Sequence, residues 1–104
     1  MQKYDKIKEK VRNKLFEFSK HAVDQSIVRD ISVKEICEAI YNGTIIEEYP
    51  DDKYGPSCLI FGQTIDNRPL HIQCSYPERD LLKIITLYEP DPEKWINFRI
   101  RRKL

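Results

Sequence analysis

Glycine is scarce: three residues in 104, at positions 43, 55 and 62. Spread so thinly, they cannot build a phosphate-cradling loop, which argues against nucleoside-triphosphate chemistry. No CxxC pair occurs among Cys37, Cys58 and Cys74, so the usual zinc and thioredoxin-like spacings are absent. His71 and Cys74 form the one metal-like pair, and on a strand residues three apart point to opposite faces. A zinc-hydrolase helix motif and a serine nucleophile elbow are missing too. No apolar run approaches the roughly 20 residues that a membrane span needs. The opening MQKYDKIKEKVRNK is charged throughout and has no signal-peptide core. These absences lead us to expect a cytoplasmic protein with no metal, no cofactor and no membrane partner, its thiols reduced and buried as small apolar side chains.

An excess of one charge is also lacking. Eighteen Lys and Arg oppose seventeen Asp and Glu, a net charge of +1, although 34% of the chain is charged. Bulk charge therefore does not announce a nucleic-acid or membrane binder. Its distribution is uneven: residues 1–30 carry eight basic and five acidic side chains, and residues 31–60 carry two and six. Arg99, Arg101, Arg102 and Lys103 crowd the end. With 40% hydrophobic residues, a chain of this length suits one domain over 1–104 that can bury its own core.

Periodicity divides the chain. Tyr4, Ile7, Val11, Leu15, Phe18 and Ala22 recur at helical spacing, which predicts an amphipathic helix from about residue 2 to about residue 26, or one that breaks near Ser19. Ser32 with Glu35 forms a capping-box pattern that opens a second helix, and Asn42-Gly43 ends it through a left-handed cap. The period then shortens. Strands are expected at 44–49, 57–65, 70–76 and 81–89, separated by the turn-forming DDKYGP segment and by Asp66-Asn67. Asp91-Pro92-Glu93 looks like the start of a short last helix carrying Trp95 and Phe98. The expected fold is α+β: two N-terminal helices on one face of a four-stranded, mostly antiparallel sheet, with the other face partly open.

Polar residues in apolar settings supply the candidates for chemistry. His21 lies on the first helix. His71 lies on the polar side of the third strand, with Gln73 and Ser75. Lys83 interrupts the apolar run LLKIITLYE, and Tyr88 closes it. Metal-free cleavage of RNA needs an acid or base and cations that hold a crowded phosphate. His21, His71, Lys83 and Tyr88 could supply proton transfer and phosphate contact. Arg29, Arg68, Arg99, Arg101 and Arg102 could track the RNA backbone, or serve as ion pairs and a solvated tail.

The blocks HAVDQSIVRDISVKEICEAIYNGTIIEEYPDD, GPSCLIFGQTIDNRPLHIQCS and IITLYEPDPEKW resemble domain-of-unknown-function family 4258 over about residues 20–104, which leaves 1–19 as a helical extension. The matching blocks fall on His21, Arg29, Ser57, Arg68, His71, Thr86, Tyr88 and Trp95. Gln25 stands where an arginine is usual, and Asp30 where a glycine is usual. That family is similar to the RelE/ParE superfamily of small toxins, near the BrnT and MqsR branches. The resemblance implies a RelE-like fold and a toxin-like component of a type II toxin-antitoxin system. It also implies metal-independent cleavage of mRNA, free or on the ribosome, and neutralisation by an antitoxin-like partner such as a YgiT-type zinc-finger protein. The alternative is a non-catalytic module whose open sheet face docks a protein.

Overall fold

The computed structural model describes residues 3–53 and 55–103. The expected helix start at residue 2, and Tyr54 of the DDKYGP turn, lie outside the described residues. The architecture is α+β, with three helices among the described residues and a five-stranded mixed sheet.

The single long N-terminal helix does not form. Helix α1 (Lys3–Arg12) ends in a left-handed turn at Lys14, with φ 59°. There Leu15 N–H donates to the Lys10 carbonyl and Lys14 N–H to that of Val11, which closes the helix end. Strand β1 (Phe16–Phe18) follows and runs parallel to the last long strand. Helix α2 (Lys20–Val28) then begins at Ser19, whose hydroxyl accepts from Ala22 N–H. The break near Ser19 is therefore present, and a strand fills the gap before it.

Helix α3 (Val33–Tyr41) carries the complete Ser32–Glu35 capping box. It ends at Asn42, but Gly43 is not left-handed. A Cβ there would lie 2.4 Å from the Phe61 carbonyl oxygen, so close approach rather than turn geometry requires glycine. Gly62 is the same case, because α3 sits so close that a Cβ would meet the Ala39 carbonyl oxygen at 1.8 Å.

Strands β2 (Thr44–Tyr49), β3 (Ser57–Gln63), β4 (Pro69–Ser75) and β5 (Leu82–Tyr88) form an antiparallel meander. The sheet order is β1-β5-β4-β3-β2, so the expected four strands become five and the sheet becomes mixed. The meander itself needs only short turns, whereas β1 reaches its parallel neighbour by way of two helices and three strands.

Ile7, Val11, Ala22, Ile36, Ala39 and Ile40 bury against Cys58, Ile60, Leu70, Ile72, Ile84 and Leu87 to make the core. No last helix forms. Asp91 starts one turn, its carbonyl accepting from Lys94 and Trp95 N–H. Asn97 and Phe98 then both take positive φ, at 51° and 62°, as the hairpin-forming type I′ turn requires. The result is a small hairpin of β6 (Trp95–Ile96) and β7 (Ile100–Arg101). It lies over half of the sheet face opposite the helices. No helix among the described residues is long and apolar enough to cross a membrane.

Candidate functional site

The sheet face away from the helices is divided in two. One half carries an open cleft of about 490 Å³ lined by Ser19, His21, Gly55, Pro56, Ser75, Arg79, Lys83 and Ile85. A β-bulge builds it. Gln73 pairs with Thr86, and Cys74 with Ile84, so Ile85 is an extra residue on β5. Bulges free backbone groups from the ladder and re-aim side chains. The Ile85 carbonyl accepts from the Ser19 hydroxyl at 2.7 Å, and the Ile84 carbonyl accepts from Ser19 N–H at 2.9 Å. That anchor fixes the start of α2 beside β5 and brings His21 to the cleft that Lys83 lines. Ser75 lies on the floor, its hydroxyl accepting from Lys83 N–H.

The other half is closed. His71 is fully buried, although strand alternation put it on the polar side. Its Nε2 lies 2.6 Å from the Phe98 carbonyl and its Nδ1 lies 3.1 Å from the Tyr88 hydroxyl. A carbonyl only accepts, so Nε2 carries the proton and Nδ1 accepts from Tyr88. Trp95 stands edge-on to the imidazole at 4.4 Å, and Phe61 flanks it at 6.0 Å. Burial lowers the His71 pKa and raises that of Tyr88. The four proton-transfer candidates thus fall into two pairs, His21 with Lys83 in the open cleft and His71 with Tyr88 beneath the hairpin.

The arginines are mostly occupied. Arg68 donates to Glu35 at 3.0 Å, to the Arg29 and Asp30 carbonyls at 2.8 Å each, and to Glu89. Arg101 forks onto Glu47 at 2.9 and 3.1 Å and lies over the Trp95 ring. Arg99 lies over Phe61. Arg29 bonds Gln25 one turn back, and Arg102 donates to the Pro92 carbonyl. Arg79 lines the cleft without having stood among the sequence candidates, because nothing in the loop sequence Pro77-Glu78-Arg79-Asp80 sets it apart. Ser19 enters the sequence reading only as a point of helix breakage, with no role in a site. Among the described residues no group of three or more His, Cys, Asp or Glu side chains could hold a metal ion. Cys58 and Cys74 are buried as expected, whereas Cys37, expected to be buried with them, is only partly so, packed against the core from α3.

The cleft offers an imidazole, two cations, hydroxyls and an apolar wall from Pro56 and Ile85. Such a set can bind an oxyanion and move a proton beside it. A family model described as a domain of unknown function (DUF4258) matches residues 18–89, which take in α2 through β5 and leave out α1, all of β1 but Phe18, and the C-terminal hairpin. No curated protein and no solved structure matches the chain.

Proposed function

The chain belongs to the DUF4258 family, and from that premise we propose that it is a toxin-like, metal-independent endoribonuclease of the RelE/ParE kind. In this reading it is the cytoplasmic effector of a type II toxin-antitoxin pair, with mRNA, free or on the ribosome, as substrate. One observation carries the proposal: His21, Arg79 and Lys83 line the same open cleft. In metal-free RNA cleavage the ribose 2′-hydroxyl gives up its proton and attacks the phosphorus. The bond to the 5′-oxygen breaks, and that oxygen takes up a proton. His21 is the proton carrier. Lys83 and Arg79 offset the charge that builds on the phosphate oxygens. His71 and Tyr88 hold the C-terminal hairpin to the sheet and take no part in proton transfer.

The test is cleavage of single-stranded RNA by the purified chain in the presence of a chelator. His21→Ala should lower the rate by about 10²–10⁴ fold, the usual range for a general acid or base. Cleavage that His21→Ala and Lys83→Gln leave intact would sink the assignment.

A second reading has its own observation. Ile27 and Val28 of α2 stand 73% and 78% exposed, and Ile65 of the β3–β4 turn 71%. Apolar side chains this exposed suit contact with a protein partner. They fit a non-catalytic interaction module, and equally the surface on which an antitoxin-like partner sits. A chain that binds no RNA at low salt but holds the product of an adjacent reading frame would favour the module.

A further inference from the structure

Cys58 and Cys74 are direct partners across the β3–β4 ladder. Both are fully buried and free, with their sulfurs 3.9 Å apart. Directly opposed residues of antiparallel strands have Cα atoms roughly 4.5–5.5 Å apart. That lies within the roughly 4.4–6.8 Å that a disulfide spans. The backbone is therefore already in place for a bond, and only side-chain rotation separates the dithiol from it. We propose that Cys58 and Cys74 form an oxidation site, closed by hydrogen peroxide into a cross-strand disulfide.

The balance is simple. One thiol gives up its proton and attacks a peroxide oxygen; the O–O bond breaks, leaving a sulfenic acid, and the departing hydroxide takes up that proton as one water. The second thiol attacks that sulfur, and its proton leaves with the hydroxyl as a second water. Two electrons pass from the sulfurs to the peroxide. Neighbouring residues tie this bond to the cleft floor: Ser57 pairs with Ser75 one step along the ladder, and Ser75 lines the cleft. Tyr4 of α1 packs on the core cluster that contains both thiols, its hydroxyl bonded to the Ile40 carbonyl.

The experiment treats the folded full chain with hydrogen peroxide, quenches it, and counts thiols after denaturation. The expected result is a fall from three thiols to one. Intact mass should drop by about 2 Da, the two hydrogens lost, and a proteolytic map should link the Cys58 and Cys74 peptides. A Cys37→Ser variant should lose its remaining two thiols in the same way. Tyr4→Phe, which frees the end of α1, should speed the reaction severalfold. Three thiols still titrating, oxygen gained without a linkage, or bonding only between molecules through Cys37 would each overturn the proposal. None of these outcomes depends on whether the cleft cleaves RNA.

Discussion

His71 donates its Nε2 proton to the Phe98 carbonyl across 2.6 Å, from a residue with no solvent exposure to one held in the left-handed region. The bond fastens the C-terminal hairpin to the centre of the sheet. Burial, with Trp95 edge-on, keeps the imidazole neutral against the pull of that carbonyl, and the Tyr88 hydroxyl on the second ring nitrogen fixes one tautomer.

The first prediction concerns pH. Burial lowers the His71 pKa from its ordinary 6.5. Below that value the unfolded chain takes up a proton that the folded chain resists, so stability is full above it and falls as the pH drops toward the lowered value. The urea midpoint should therefore decline between about pH 7 and pH 5. In His71→Gln this decline should be shallower, the midpoint itself being lower throughout. A parallel decline in both proteins would refute the assignment. Carboxylates such as Glu35, held low first by Ser32 N–H and then by Arg68, add their own loss only as the pH falls below the ordinary carboxylate value of 4.5.

The second concerns Arg68. Its guanidinium joins the α2–α3 junction, through the Arg29 and Asp30 carbonyls, to Glu35 on α3 and Glu89 beyond β5. Arg68→Ala should cost about 2–3 kcal/mol, since it removes several charge-assisted hydrogen bonds from a half-buried site. Lysine should recover little, because it lacks the planar fork. Denaturant unfolding measures both variants.

The third concerns Gly62. A methyl group there would overlap the Ala39 carbonyl oxygen, and backbone cannot step aside as a side-chain tip can. Gly62→Ala should destabilise by about 3 kcal/mol or more, at or above the upper end for overpacking. Circular dichroism on heating decides it. A change under about 0.5 kcal/mol, the size of a neutral surface substitution, would mean that α3 does not lie so close.

The fourth concerns Ser19, which caps α2 and ties it to the bulge carbonyl of Ile85. Ser19→Ala should cost about 1 kcal/mol, as lost N-caps do. Threonine should restore most of it. If the cleft is catalytic, the alanine variant should also turn over more slowly while retaining RNA affinity, because His21 loses its anchor and the cations do not.

Much of the fold could be read from local pattern. The Ser32–Glu35 box needs only residues three apart, and it is there. Strand β2 falls at 44–49 as expected, and the other three strands of the meander differ by at most two residues at an end. The failures are non-local. Phe16-Glu17-Phe18 carries only three residues of alternation, and Phe18 and Ala22 also fit helical spacing. Its assignment as a strand is made by β5, far along the chain. Asp91-Pro92 does open a turn, but Asn97 and Phe98 then go left-handed, and no glycine marked the place.

The candidate site was legible as a set of residue types and not as an arrangement. His71, Gln73 and Ser75 do share a face of β4, as alternation required. Alternation cannot show that Trp95 and Phe98 cover one end of that face. Nor could the sequence show that a bulge at Ile85 opens the other end into a cleft.

The pairing of Phe16 with Leu82 has a bearing on how the molecule is made. During synthesis β1 leaves the ribosome long before its neighbour exists. Phe16 and Phe18 must wait without their strand partner until Ile84 has emerged, so of the two sheet edges this one closes second. Contacts so far apart in sequence close slowly. Until they close, the nascent protein offers sticky aromatic rings to chaperones, and to other unfinished copies of itself.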